Sequence, residues 1–125
     1  MVSEKRSVRI ADRIKRELSL LFIQEISDPR LDDVSITEVK VDRELSFADI
    51  YVTSLVGQEE RGEILDALKH AAGFIRSQLA ASLSHLRSFP DLRFHWDPVP
   101  ERVDRIDEII AELEEEEGEI EELDE

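Results

Sequence analysis

Arg6, Arg9, Arg13 and Arg16 recur every three or four residues along a stretch in which Val8, Ala11, Ile14, Leu18, Leu21 and Phe22 keep a helical apolar spacing. At about 100° per residue, an α-helix gathers these four guanidiniums into one sector of about 80°, opposite the apolar stripe. Such a helix docks through its hydrophobic face and turns planar forks of N–H donors outward, a geometry that suits phosphate oxygens. Lys5 and Lys15 bring the basic side chains of residues 1–16 to six, against Glu4 and Asp12. A solvated helix also carries charge on its outer face, so this pattern alone separates nothing.

A second cationic strip changes the weighting. Lys69, Gly73, Arg76, Ala80, Ser84 and Arg87 share another sector of about 80° if one helix carries them all. No acidic residue stands between Asp66 and Asp91. The small residues would leave a shallow channel between cations, open to a nucleic-acid backbone, although Gly73 and Ala80 would equally suit packing against a neighbouring helix. Two acid-free basic surfaces in an acidic chain favour RNA or DNA binding, and the two ridges should form a single surface.

Other chemistries find less support. His70, His85 and His95 lack the spacing of a metal or catalytic cluster, and there is no phosphate-binding loop and no Gly-x-Ser-x-Gly elbow. The acidic run near the C-terminus lacks the glycine turn and alternating ligands of a calcium loop. With no cysteine, thiolate metal sites, disulfides and cysteine nucleophiles are excluded. We therefore expect a non-enzyme without metal, cofactor or small-molecule substrate. Phe94 and Trp96 alternate with Arg93 and His95, but they share a parity with Leu92, which assigns them to the core rather than to base stacking.

The formal net charge of −15 looks hostile to nucleic acid until it is located. Residues 101–125 hold 14 acidic side chains against Arg102 and Arg105, a net of −12, so residues 1–100 carry only −3. No window approaches the ~20 apolar residues that span a bilayer, and Met1 to Arg16 lacks the apolar core of a signal peptide. The expected protein is a cytoplasmic monomer with no membrane partner.

The elements that position these residues follow from periodicity. Residues 7–26 read as an amphipathic helix capped by Ser3 or Ser7 and ended by Ser27-Asp28-Pro29-Arg30. Residues 34–41 form a strand whose apolar phase slips between Ile36 and Val39, as at a bulge. A second strand from 45 to 55 completes an antiparallel hairpin. A long helix follows from Ile64 to Leu86, with Gly73 marking a kink or the close approach of another backbone. The last strand spans Leu92–Asp97. The order is that of an α+β domain, with helices on one face of a three-stranded sheet whose strand order the sequence leaves open. We expect a domain over 1–100, a short helix over 101–113 and a disordered acidic tail over 114–125, where like charges repel.

Six fragments carry a family resemblance: Arg6-x-x-Arg9-Ile10, Ile26 to Leu31, Val34 to Val39, Leu45 to Val52, Ala71 to Arg76, and Pro90-Asp-Leu92-Arg-Phe94-x-x-Asp97. In order and spacing they resemble ribosome-binding factor A, over residues 6 to about 110. Glu44, Asp49 and Pro98 depart from the residues commoner there, Asp49 at a position often basic. The resemblance implies a KH-like domain of type II, ordered α-β-β-α(kink)α-β, in which Ala71-Ala72-Gly73 replaces the Gly-x-x-Gly loop of RNA-binding KH domains. It implies a non-catalytic factor that binds the free or immature small (30S) ribosomal subunit and its 16S rRNA, assists late maturation of the rRNA 5′ region, and has a link to growth in the cold.

The expected RNA-binding residues are then Lys5, Arg6, Arg9, Arg13, Arg16, Lys69, Ala71, Gly73, Arg76 and Arg87. The alternative is an acidic interaction module that recruits a basic partner protein, RNA contact being incidental.

Overall fold

The computed structural model describes residues 1–24, 26–54 and 57–124, apart from the side chains of 101, 104 and 119–124. Glu25, Leu55 and Glu125, which fall in the expected first helix, second strand and tail, lie outside the described residues.

Ser3 caps the first helix, its Oγ accepting the Arg6 backbone N–H at 3.1 Å, and α1 runs Glu4–Gln24. Ile10, Ala11, Ile14 and Leu18 are its buried apolar side chains. Val8, expected in the stripe, is instead 53% exposed. It stands about 120° round the helix from Ile14, whereas Ile10 stands only about 40° away. The chain then turns through a single 3₁₀ turn, Pro29–Leu31, started by Asp28, whose carboxylate accepts the Arg30 backbone N–H and is clasped by the Arg30 guanidinium at 2.7 Å.

β1 (Ser35–Val41) and β2 (Phe47–Thr53) pair antiparallel as the sequence predicts. The phase slip is a bulge: Ile36 faces Val52 and Glu38 faces Tyr51, leaving Thr37 over. Thr37 is held there, its Oγ1 2.7 Å from Asp97 Oδ2 and 3.2 Å from Tyr51 O. Asp42 organises the hairpin turn, its Oδ1 accepting the Phe47 N–H at 2.7 Å.

α2 (Arg61–Ser82) carries the chain back so that β3 (Asp91–Trp96) lies parallel to β2, giving the order β1-β2-β3. Parallel neighbours need such a crossover, which a short turn cannot make. α1 packs on the β1 side of the sheet, α2 on the β3 side, and the two helices touch each other. Between them and the sheet lie the core side chains Ile14, Leu18, Ile50, Val52, Leu68, Ile75 and Leu79, all fully buried. Phe94 joins this core, with Leu92 and Trp96 packed against it, as their shared parity predicts.

Gly73 lies within a continuous α2, and a Cβ added there would meet nothing within 4 Å, so among the described residues no neighbouring element makes the close approach that the sequence allowed for. Gly73→Ala should therefore stabilise the fold by about 0.5–1 kcal/mol, read as a rise in the urea midpoint at constant slope. The C-terminal segment also differs: α3 runs Val99–Asp124, through residues where the acidic run led us to expect disorder beyond 113. Glutamate is among the better helix formers, and the repulsion of exposed carboxylates one turn apart amounts to only a few tenths of a kcal/mol per pair. Among the described residues, no helix is long and apolar enough to cross a membrane.

Candidate nucleic-acid interface

Because Ile10 and Ile14 seat α1 on the core, the helix must turn Lys5, Arg6, Arg9, Arg13 and Arg16 outward, and all five are exposed. Among the described residues, Lys5, Arg6, Arg9 and Arg16 have no carboxylate within ion-pair distance. Arg13 has only Glu17, one turn on, at a loose 3.8 Å with its side chain half exposed. Such a pair contributes little and yields readily to a phosphate. Lys15 stands apart from this face, its Nζ reaching the Thr37 carbonyl at 3.2 Å.

The arginine face meets the far end of α2. Arg6, Arg9, Ile10 and Arg13 line a hollow of about 280 Å³ with Leu83 and His85, in the connection that follows Ser82. Leu83 is buried, so it pins that connection against the core and holds His85 beside the three guanidiniums. His85 was not among the expected site residues. Its signal was the acid-free run from 67 to 90, which also holds the exposed Arg87.

The second ridge is not continuous. α2 ends at Ser82, so Ser84 and Arg87 leave the helical sector that joined them to Lys69. Lys69 is exposed, but it stands 14 residues before Leu83, roughly 21 Å along the helix. Ala71 is half-buried and packs against the core, so it offers little open surface, while Gly73 is exposed. Arg76 has turned inward to the chain: its Nη2 donates to Phe89 O at 2.6 Å, its Nε to Pro90 O at 3.3 Å, and Asp91 lies 3.5 Å away. Phe89 and Pro90 are buried, so this guanidinium satisfies carbonyls at the entry to β3. Arg76→Ala should cost about 1–3 kcal/mol of stability in chemical denaturation and leave the salt dependence of RNA binding unchanged. A normal midpoint with a shallower salt slope would instead restore Arg76 to the interface.

The sheet face away from the helices has a different character. Asp49 accepts two bonds from Arg93, at 2.8 and 3.0 Å, and one from His95 at 2.7 Å. The Arg93 fork, with help from His95, holds the Asp49 carboxyl below its ordinary range despite partial burial. Tyr51 stacks on His95 at 5.1 Å between ring centres, and Arg93 lies over the Phe47 ring at 4.0 Å. The cations of this face are thus engaged with their own neighbours. A polyanion would have to break the Asp49 pair before using Arg93, whereas the arginines of α1 stand ready.

Comparison with known proteins places this geometry in a family context. The family model for ribosome-binding factor A matches residues 6–110. The ribosome-binding factor A of Chromohalobacter salexigens is 45% identical over 111 residues, 86% of this chain and 83% of that relative. Among solved structures, the crystal structure of ribosome-binding factor A from Thermus thermophilus superposes with a TM-score of 0.64 at 28% identity, covering 72% of this chain and 93% of that one. A Thermus thermophilus ribosome binding factor A model fitted into the cryo-EM map of its complex with the 30S subunit matches with a TM-score of 0.58 at 28% identity, over 70% of this chain and 91% of that one.

Proposed function

The chain belongs to the ribosome-binding factor A family, and from that premise we propose that it binds the immature small ribosomal subunit through the outer face of α1 and the connection after α2. In this reading it is a cytoplasmic, monomeric, non-enzymatic factor that contacts 16S rRNA and assists late maturation of the rRNA 5′ region. The observation that carries the reading is the convergence of Arg6, Arg9 and Arg13 with His85 on one hollow, almost free of internal ion pairs, in a chain of net charge −15. Guanidiniums gathered this closely repel one another, and an anion seated among them relieves that repulsion. The relative fitted into a 30S complex supports the small subunit as that anion's source.

The hollow sets three arginines beside a single histidine, with no second acid or base and no metal-ligand cluster among its lining residues, which suits it to positioning phosphates. Binding of this kind releases counterions, so affinity should fall steeply with salt. Sucrose-gradient sedimentation of the tagged full chain with small subunits, large subunits and whole ribosomes tests the proposal. Co-migration with free small subunits, lost progressively between about 50 and 200 mM salt, is the expected outcome. Salt-independent binding, or a preference for large subunits, would overturn it. Deleting residues 114–125 should leave small-subunit binding unchanged or tighter, since repulsion from phosphate is removed.

A further inference from the structure

α3 leaves the domain with an apolar seam that none of the described residues covers. Val99, Val103, Ile106, Ile110 and Leu113 follow the alternating four and three residue spacing of a coiled-coil seam, and each is between 47% and 55% exposed. Ile109 widens the stripe at 42% exposure. α3 takes no share in the main packing contacts, which join α1, α2 and the sheet. A run of large aliphatic side chains on one line of a helix is costly to leave in water, and it marks a surface made to be covered.

The flanks say what would cover it. Residues 99–124 hold 13 acidic side chains and only Arg102 and Arg105 as cations. RNA and anionic lipid are repelled by such flanks. A second copy fits poorly too: a parallel pair aligns two tails in which nine of the twelve residues beyond Leu113 are acidic, and an antiparallel pair sets Asp107 and Glu114 against their own counterparts. A helix with an aliphatic seam bordered by lysine and arginine meets both features at once, through seam packing and charge pairs across the flanking positions.

We propose that Val99–Leu113 of α3 is a docking helix for a cationic amphipathic helix of a partner protein. The site is separate from the arginine face of α1 and does not depend on the ribosomal reading. α3 contributes no residue to the arginine hollow, so an RNA strand there and a basic protein on α3 would not compete for the same side chains.

A fluorescent 21-residue peptide with leucine at the seam positions and lysine at the flanks provides the probe, titrated into the full-length chain and read by anisotropy. A control peptide has the same composition with the seam order scrambled. The expected result is saturable binding at least about tenfold tighter for the ordered peptide, and a loss of about tenfold in the Ile106→Gln/Ile110→Gln variant. Both isoleucines are exposed and glutamine suits a helix, so the variant keeps its fold, which circular dichroism checks. Equal binding of the two peptides, or an unaffected variant, would reduce the contact to charge alone and overturn the proposal. So would sedimentation equilibrium showing a dimer of the free protein that the double variant dissolves, because the seam would then belong to a second copy. Flotation of the chain with phosphatidylcholine vesicles, lost in the same variant, would overturn it in favour of lipid.

Discussion

Replacing Arg6, Arg9 and Arg13 together by alanine should weaken small-subunit binding by about a hundredfold at physiological salt while leaving the melting temperature nearly unchanged. Each guanidinium that meets a phosphate contributes on the order of 1 kcal/mol or more after desolvation, and three lost contacts compound. The salt dependence carries more information than the affinity. Each neutralised phosphate contributes about −0.9 to the slope of log affinity against log salt, so the triple variant should lose nearly three units of slope if all three contact RNA. Stability should hold because these side chains are exposed and, among the described residues, make only the loose Arg13–Glu17 pair. A variant that unfolds, or one that binds weakly with an unchanged slope, would mean that the arginines support the fold rather than the contact.

The second large effect lies directly beneath that face. Ile14→Ala should cost about 2–5 kcal/mol in chemical denaturation, because Ile14 is fully buried and truncation leaves a cavity that the sheet below cannot collapse into. Its effect on RNA affinity should be small so long as the protein remains folded, since the outer face of α1 is untouched. The pair of variants thus separates the two sides of one helix. A binding loss in Ile14→Ala larger than its unfolded fraction would show that the seating of α1, as well as its charge, sets the interface.

Much of this division was legible in the sequence because it depends on local periodicity. The spacing of Ile14, Leu18 and the arginines places them on opposite sides of a helix whatever the tertiary context, and the slip between Ile36 and Val39 survives as a bulge at Thr37. The β2–β3 pairing was not legible, because it is a long-range choice made by how α2 packs. The second ridge failed for a related reason. A helical projection assumes a helix through Arg87, but the chain leaves the helix after Ser82, and Arg76 finds the Phe89 and Pro90 carbonyls, which are distant in sequence. His85 entered the site through the same fold-back, with Leu83 as its anchor. Beyond Leu113 the charge argument misjudged glutamate, whose helix propensity outweighs a screened repulsion.

The central claim is that ribosomal RNA lies against α1 and the connection after α2, and not on the open sheet. The chain has no cysteine, so single introduced thiols can carry a cleavage probe without interference. Ser84→Cys places one on the exposed connection beside His85, and Lys40→Cys places one on the exposed face of β1. With tethered iron chelates generating hydroxyl radicals in the small-subunit complex, Ser84→Cys should cut 16S rRNA at a compact set of positions and Lys40→Cys should cut weakly or not at all. Strong cleavage from Lys40→Cys with none from Ser84→Cys would contradict the account.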